Sequence, residues 1–330
     1  MHYRLLGRSG LRVSEICLGT MTFSRTGSDG DLATYRTIFD AFAEAGGNFI
    51  DTAHFYGDGA SEQIVGDFIR ADRDHFVLAT KYTPLNSGDV ARSGNNRKAM
   101  MKMVEDSLRR LDTEFIDLLF LHMWDDTTPI DEIMRAFDDL VTAGKVHYVG
   151  CSNIPAWQVS RANMLADLRG WASFIGLQVE YSLAQRQAEH DLLPMAKALD
   201  IGVTAWSPLG GGLLLERDGP RRPYLRDSEQ AKALAGLVTA IAREVGRSPA
   251  QVAIAALRQL PWHVIPVMGA SSVEQIRDTL GCIDLVLDHD QLQRLDAASA
   301  IKPIYPHDFL HMPMIQRIML GDNPPQNHRR

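Results

Sequence analysis

The chain has 330 residues, of which 45% are hydrophobic and 23% charged. This composition supplies a large apolar core and excludes the disordered and collagen-like classes of protein. The formal net charge of -7 argues against a general binder of nucleic acid or of an acidic membrane surface. Three widely spaced cysteines exclude a disulfide framework, and the first residues carry no apolar targeting stretch. We therefore expect a soluble cytoplasmic protein.

The chain opens with a predicted hairpin, in which residues 3–6 and 12–15 flank the turn-rich segment Gly7-Arg8-Ser9-Gly10. Eight short runs rich in Val, Ile, Leu and Phe follow, and each is predicted to be a core strand. They are Ile16–Gly19, Asn48–Asp51, Phe76–Thr80, Phe115–Leu121, Val146–Cys151, Phe174–Val179, Gly202–Ala205 and Val264–Val267.

Helical patterns lie between these strands. One is predicted over Asp31–Ala45, another from Thr128-Pro129 to Ala143-Gly144, and the last barrel helix has Ser272 as its N-cap. The alternation predicts an α/β fold, a closed (β/α)8 barrel with an N-terminal hairpin and an extra C-terminal helix or tail. We expect residues 1–330 to form one domain of this type, with a mobile tail over 320–330.

Polar residues follow several of the apolar runs. Active sites in such barrels lie at the carboxyl ends of the strands, so these residues are predicted to meet at one rim. Taken singly, each has an ordinary structural explanation as a turn residue, a solvated amine or a satisfied buried group. Their conjunction points to a site. The residues are Asp51, Tyr56, Lys81, His122, Ser152, Asn153, Gln178 and Trp206.

Four of these groups make chemical sense together. A tyrosine hydroxyl titrates near ~10, and a neighbouring cation favours its ionised form. Lys81 can supply that cation, and Asp51 can hold Lys81 protonated. His122 can donate a hydrogen bond to a carbonyl oxygen, while Tyr56 delivers a proton to it. The sequence shows no Ser-His-Asp arrangement, no carboxylate pair for glycoside cleavage and no metal-ligand spacing.

The segments that carry these residues are similar to the motifs of aldo-keto reductases. The resemblance covers about the first 280 residues and is strongest to the bacterial aldo/keto reductases and the potassium-channel β subunits. The matching segments are Tyr3 to Ser14, Asp51-Thr52-Ala53-His54-Phe55-Tyr56-Gly57, Lys81 after Leu78-Ala79-Thr80, His122 after residues 117–121, residues 144–153, residues 178–182 and Trp206-Ser207-Pro208-Leu209.

The resemblance implies a barrel that binds a nicotinamide cofactor without a Rossmann domain. It implies that Tyr56 is the general acid, tuned by Lys81 and Asp51, and that His122 orients the carbonyl group. It also implies that Ser152, Asn153 and Gln178 bond the cofactor carboxamide and that Trp206 stacks on the nicotinamide ring. The cofactor-binding residues so implied are Gly19, Thr20, Met21, Asp51, Ser152, Asn153, Gln178, Trp206, Ser207, Pro208, Leu209, Gly211, Arg217, Gly269, Ser271, Gln275 and Thr279.

The phosphate end departs from the family pattern. Ser271 stands where many relatives have an Arg or Lys that holds a 2′-phosphate, and Thr279 stands where they have an Asn against the adenine. The channel β subunits instead use a Lys in the loop after the seventh strand, and Arg217 matches it. Helix N-terminal amides near Ser271 also favour phosphate. We therefore predict NADP(H), with NAD(H) as the alternative.

The predicted substrate is a small carbonyl compound or alcohol. Phe23 and Trp124 are expected to line its pocket beside Tyr56 and His122, the alternative being that they pack rim loops against the barrel. The predicted function is an NADP(H)-dependent oxidoreductase. Two alternatives are a cofactor-sensing subunit like the channel β proteins, and a lyase that uses Lys81 as a Schiff-base amine. The sequence sets neither the substrate nor the oligomeric state.

Overall fold

The computed structural model describes residues 1–24, 29–84, 88–215 and 229–322. Two strands form an antiparallel hairpin, and the other eight close into a parallel barrel in which the last strand pairs with the first. The predicted (β/α)8 barrel with an N-terminal hairpin is therefore confirmed, and each predicted strand lies within two residues of an observed one. The strands are β1 (Tyr3–Leu5), β2 (Arg12–Ser14), β3 (Cys17–Gly19), β4 (Phe49–Asp51), β5 (Val77–Tyr82), β6 (Ile116–Leu121), β7 (Val146–Ser152), β8 (Phe174–Glu180), β9 (Gly202–Trp206) and β10 (Ile265–Gly269).

The helices of the described ranges surround the barrel and extend it at the C-terminus. Ser272 is an N-cap as predicted, because its side chain accepts a hydrogen bond from the backbone N–H of Gln275. Pro129 is itself an N-cap and not a first-turn residue. The helices are α1 (Asp29–Glu44), α2 (Ala60–Ile69), α3 (Arg97–Leu111), α4 (Ile130–Thr142), α5 (Ala156–Arg169), α6 (Leu192–Ala198), α7 (Glu229–Val245), α8 (Pro249–Gln259), α9 (Val273–Leu280), α10 (His289–Ser299), α11 (His307–Leu310) and α12 (Pro313–Leu320).

The interior of the barrel is apolar at the end where the strands begin. Strand side chains alternate between inside and outside, and inward-facing residues of six strands form one buried cluster. Leu6 and Val13 of the hairpin complete this cluster, so the hairpin closes that end. Gly7 at the hairpin tip has a φ of 54°, and a Cβ there would lie 2.6 Å from the carbonyl oxygen of Ile175, so the contact requires glycine. The strand residues of the cluster are Cys17, Phe49, Val77, Ala79, Leu118, Phe120, Ile175, Ile265 and Val267.

The three cysteines are free and buried. Burial raises the pKa of the Cys282 thiol to about 12, and it raises the pKa values of Cys17 and Cys151 well above the ordinary range. All three thiols are therefore protonated and unreactive in the folded protein.

Over the ranges given above, none of the helices combines the length and the apolar character that a membrane span requires.

Candidate active site

Polar side chains replace the apolar interior at the end of the barrel where the strands finish. Asp51 lies two residues after Phe49 on β4, and Lys81 lies two residues after Ala79 on β5. Since strand side chains repeat with a period of two, each polar group points into the same interior as the apolar residue before it. His122 follows β6 directly. The predicted site residues from these strands thus share one mouth.

Lys81 is the centre of the site. Its side chain is fully buried, and its Nζ donates to Asp51 Oδ2 at 2.6 Å, to the carbonyl oxygen of Thr52 at 2.9 Å and to the Tyr56 hydroxyl oxygen at 3.2 Å. An ammonium group has three hydrogens, so each has an acceptor. Burial alone would lower the pKa of Lys81, but Asp51 and Tyr56 raise it above its ordinary value. Such a cation is a poor Schiff-base amine, which disfavours the lyase alternative.

Asp51 has both carboxylate oxygens engaged. Oδ2 accepts from Lys81, and Oδ1 accepts from the Nε2 of Gln178 at 2.8 Å. Gln178 was predicted to bond the cofactor carboxamide, and its contact with Asp51 was not predicted. Gln178 therefore joins a cofactor-facing position to the carboxylate that holds Lys81.

Tyr56 begins a tight turn, Tyr56–Gly59, that precedes α2. The next three residues all have left-handed backbone conformations, with φ of 57° at Gly57, 52° at Asp58 and 92° at Gly59. Asp58 is one of the small polar residues that tolerate this conformation. The turn brings the phenol over Lys81, whose Nζ lies 4.8 Å from the centre of the Tyr56 ring.

A buried network that was not predicted supports this turn. Arg110 of α3 donates to Nδ1 of His54 at 2.5 Å and to Oε2 of Glu62 at 2.7 Å. Glu62 is fully buried and also accepts from the hydroxyl of Thr80 at 2.6 Å. Burial, and next the charge of Arg110, lower the pKa of His54, so this imidazole is neutral. A Cβ at Gly59 would lie 2.6 Å from Arg110 Nε, so glycine lets the arginine pass beneath the turn.

His122 lies beside Tyr56, with the two rings edge to face and their centroids 5.9 Å apart. Its Nδ1 lies 2.8 Å from the carbonyl oxygen of Thr83. Burial and the charge of Lys81 lower the pKa of His122 to about 3, although the bond to Thr83 opposes this. The imidazole is therefore neutral. That His122 donates to a carbonyl oxygen stays a prediction.

Ser152 and Asn153 end the neighbouring strand. Asn153 has a left-handed φ of 50°, and its Nδ2 donates to the carbonyl oxygen of His122 at 2.9 Å and to the Ser152 hydroxyl at 3.0 Å. Because Ser152 accepts this bond, its own hydroxyl hydrogen can be donated to a ligand. The backbone N–H of Trp124 donates to the Asn153 carbonyl oxygen at 3.2 Å, which fastens the two rim loops together.

Two glycines end neighbouring strands on the side of the barrel across from His122 and Ser152. Gly19 of β3 and Gly269 of β10 are paired in register. A Cβ at Gly269 would meet only the carbonyl oxygen of Gly19, at 3.9 Å, so the space beside Gly269 is open, whereas a Cβ at Gly19 would lie 2.8 Å from the Val267 side chain. Trp206 ends the adjoining strand and is half-buried. An open space beside an indole ring suits a planar ligand.

The remaining rim positions have mixed environments. Thr20 is fully buried, and its hydroxyl donates to the Asp51 carbonyl oxygen at 3.0 Å, whereas Met21 is 53% exposed. Ser207 and Gly211 have left-handed φ values of 54° and 65°. Pro208 and Leu209 between them are buried and half-buried.

The predicted phosphate end is centred on the start of α9. The backbone N–H and the hydroxyl of Ser271 both bond Gln275 Oε1, at 2.9 and 3.1 Å. Thr279 is buried, and its hydroxyl donates to the Gln275 carbonyl oxygen at 2.9 Å. Thr279 thus bonds its own helix, which does not support a contact with the cofactor. Arg217 lies outside the described residues.

The two aromatic residues predicted for the substrate pocket differ. Phe23 is fully buried and stacks on Tyr35 with ring centroids 4.7 Å apart. It packs the rim loop against the barrel, which was the alternative, so its assignment to the substrate pocket is corrected. Trp124 is half-buried at the rim, where exposed Phe55 and Met123 accompany Tyr56 and His122.

The fold and this site define the chain as a barrel oxidoreductase, in which a phenol lies beside a buried cation at the mouth of the barrel. The chain belongs to the aldo/keto reductase family, whose model matches residues 15–300. Within the described ranges, no three His, Cys, Asp or Glu side chains are grouped so as to hold a metal ion.

Characterised and uncharacterised proteins of this family are similar along most of the chain. Norsolorinic acid reductase of Aspergillus flavus is 36% identical, over 94% of this chain and 84% of that protein. The uncharacterized oxidoreductase YrpG of Bacillus subtilis is 38% identical, over 90% of this chain and 95% of that protein. Aryl-alcohol dehydrogenase [NADP(+)] of Phanerodontia chrysosporium is 34% identical, over 93% of this chain and 88% of that protein.

Proposed function

We propose that the chain is a cytoplasmic NADP(H)-dependent enzyme that interconverts aldehydes or ketones and alcohols, with Tyr56 as the general acid and base. The observation that carries this proposal is the position of Lys81 Nζ, 3.2 Å from the Tyr56 oxygen and 2.6 Å from Asp51 Oδ2. The Lys81 hydrogens are taken by these groups and by Thr52, so the Tyr56 oxygen accepts from Lys81 and its own hydrogen is the one to be transferred.

A bound nicotinamide supplies the hydrogen and electron pair that the carbonyl carbon receives. Tyr56 gives its proton to the carbonyl oxygen as negative charge develops there. The phenolate that remains is stabilised by the buried charge of Lys81. Asp51 keeps Lys81 charged, and Gln178 keeps Asp51 in position. In the alcohol-oxidising direction Tyr56 takes the proton back.

The mouth has groups that fit a nicotinamide. Ser152 can donate to the carboxamide oxygen, and Gln178 can accept from the carboxamide nitrogen while it stays bonded to Asp51. Gly269 leaves open space for a flat ring, and half-buried Trp206 lies on the adjoining strand as a stacking surface. These residues would fix the face of the ring that meets the substrate.

The preference for NADP(H) over NAD(H) is supported by the NADP(+) named for the aryl-alcohol dehydrogenase relative. Ser271 and Arg217 are the proposed phosphate contacts. The substrate side is lined by exposed or half-buried apolar groups, namely Phe55, Met123 and Trp124, which favour an aromatic or otherwise apolar carbonyl compound.

The variant Tyr56→Phe tests the proposal. It keeps the ring and removes the proton, so turnover of an aromatic aldehyde should fall by roughly 10³-fold. Binding of NADPH, followed by quenching of tryptophan fluorescence, should be unchanged. Turnover near that of the unmodified enzyme would refute the role of Tyr56. In the same titration, tighter binding of NADH than of NADPH would overturn the choice of cofactor.

A further inference from the structure

Tyr56 lies on a loop and not on a strand, so its distance from Lys81 depends on what supports that loop. The loop runs from residue 52 to residue 59, between β4 and α2. Ser61 fastens its two ends together, because the Ser61 hydroxyl oxygen lies 2.9 Å from that of Thr52. This contact lies outside the left-handed turn that follows Tyr56, so the turn itself has to be held by other groups.

Arg110 of α3 lies beneath this turn. Its guanidinium donates to His54 Nδ1 at 2.5 Å, two residues before Tyr56, and to Glu62 Oε2 at 2.7 Å, on α2 after the turn. A Cβ on Gly59 would lie 2.6 Å from Arg110 Nε, so the guanidinium packs closely against the turn. One side chain therefore contacts the chain before, within and after the turn that carries the phenol.

The same network reaches the strand that carries Lys81. Glu62 Oε1 accepts from the hydroxyl of Thr80 at 2.6 Å, and Thr80 directly precedes Lys81 on β5. The backbone N–H of His54 donates to the carbonyl oxygen of Lys81 at 3.0 Å. The network thus couples the two segments whose side chains meet where Lys81 Nζ lies 3.2 Å from the Tyr56 oxygen.

The conformation of the turn indicates that it needs this support. Its three consecutive residues 57–59 have left-handed backbones, and Asp58 carries a side chain there. Conformations of this kind persist where the surrounding contacts impose them. Glu62 and His54 are both buried, and hydrogen bonds to buried partners are electrostatically stronger than those at a surface. The contacts of Arg110 are therefore suited to keep the turn in this shape.

We propose that Arg110 is a positioning residue for Tyr56, whose phenol it keeps within hydrogen-bond distance of Lys81 by holding the turn. The nearby ammonium favours the ionised phenol. When the turn relaxes, the phenol moves away from Lys81, so both its ionisation and the transfer of its proton become harder. This rests on the proposed function for the part that Tyr56 plays in turnover, whereas the position of the phenol is tested without turnover.

Two variants remove the support in different ways. Arg110→Lys keeps a positive charge near Glu62, but a single ammonium does not reproduce the planar fork that spans Glu62 and His54. Arg110→Met combined with Glu62→Gln removes both charges together, so no buried carboxylate loses its partner. Binding of NADPH and urea denaturation show whether each variant is folded.

Arg73→Lys is the matched control. Arg73 is also a partly buried arginine with a carboxylate partner, Asp117, whose Oδ2 lies 2.7 Å from Arg73 Nη2. Its other partners include the carbonyl oxygens of Phe76 and Phe115, which directly precede β5 and β6, so it lies at the end of the barrel where the strands begin. The control shares with Arg110→Lys the loss of a guanidinium fork, but not the contact with the turn.

Carbon NMR tests the position of the phenol. The protein with bound NADP⁺ and ¹³Cζ-labelled tyrosine is titrated, and the signal that is missing from Tyr56→Phe belongs to Tyr56. In both Arg110 variants the pH midpoint of this signal should rise by roughly half a pH unit or more, because the phenolate loses stabilisation by Lys81. Arg73→Lys should leave the midpoint unchanged. A midpoint that stays constant in the Arg110 variants, or that moves equally in the control, would overturn the proposal.

Single-turnover kinetics tests the consequence for catalysis, since product release then does not mask the chemical step. The rate of reduction of an aromatic aldehyde should fall roughly tenfold in Arg110→Lys and further in the double variant, while the affinity for NADPH changes less than about twofold. An unchanged rate, or an equal fall in Arg73→Lys, would contradict the positioning role. If Tyr56→Phe stays active while the NMR midpoint moves as expected, the proposed function fails and the placement of the phenol by Arg110 stands.

Discussion

The two ends of the barrel interior are built on the same strands but hold different chemistry. At the closed end Phe49 and Ala79 belong to one apolar cluster, and two residues further along each strand Asp51 and Lys81 form a buried ion pair. The closed end is stabilised by burial of apolar surface, which is non-directional. The open end is held by directed hydrogen bonds in which each group fixes the next. Stability and chemistry should therefore be separable by substitution.

The largest effect on stability is expected at the closed end. Phe49 is 1% exposed, so Phe49→Ala should lower the free energy of unfolding by about 3–5 kcal/mol through lost burial and a cavity. Urea denaturation measures this loss. The molecules that stay folded should keep their turnover number, because Phe49 lies below the polar layer.

Tyr56→Phe is the matched variant for this comparison, since it should abolish turnover at little cost in stability. If Phe49→Ala instead lowered turnover of the folded fraction as strongly as Tyr56→Phe, the separation of the two ends would be wrong.

A smaller effect is expected from the titration of His122. Its pKa is about 3 in the folded protein and near 6.5 when unfolded, so between these values only the unfolded state binds the proton. Stability is thus unaffected above pH 7 and falls as the pH decreases. From pH 7 to pH 4 this group should cost about 3 kcal/mol. His122→Gln should remove that part of the acid sensitivity, as measured by urea denaturation at both pH values. A parallel loss in both proteins would contradict the neutral imidazole.

The smallest effect is expected in the rim. Burial alone would raise the pKa of Asp125, but hydrogen bonds from Asn95, Thr127 and Thr128 outweigh it and lower the pKa to about 2. The carboxylate therefore stabilises the fold above pH ~4, and this contribution is lost as the pH falls towards 2. Because Asp125 is partly exposed, Asp125→Asn should cost only about 1 kcal/mol at pH 7. Thermal unfolding at pH 7 and pH 2.5 measures it, and an equal cost at both would argue against the charge.

The sequence revealed those parts of the fold and site that depend on local pattern. The strands were predictable because each is a short apolar run, and Asp51, Lys81 and His122 because each ends such a run. The contacts behind them were not predictable. Gln178 reaches Asp51 across 127 residues, and Arg110 reaches His54 across 56.

Two features needed coordinates for a different reason. A surface-loop position suggested that Phe23 faces substrate, but whether a rim aromatic turns inward depends on its neighbours in space. The partner of His122 Nδ1 is one backbone carbonyl, that of Thr83, and composition and spacing carry no signal of where a carbonyl points.

The buried thiols provide built-in reporters of how the barrel opens. Cys17 lies in the inner cluster, Cys151 on β7 and Cys282 after α9, so they sample separate parts of the structure. A thiol that is protonated and enclosed reacts with an alkylating reagent only when its own surroundings come apart. The order in which the three become labelled under mild denaturant would therefore map local unfolding without any introduced cysteine.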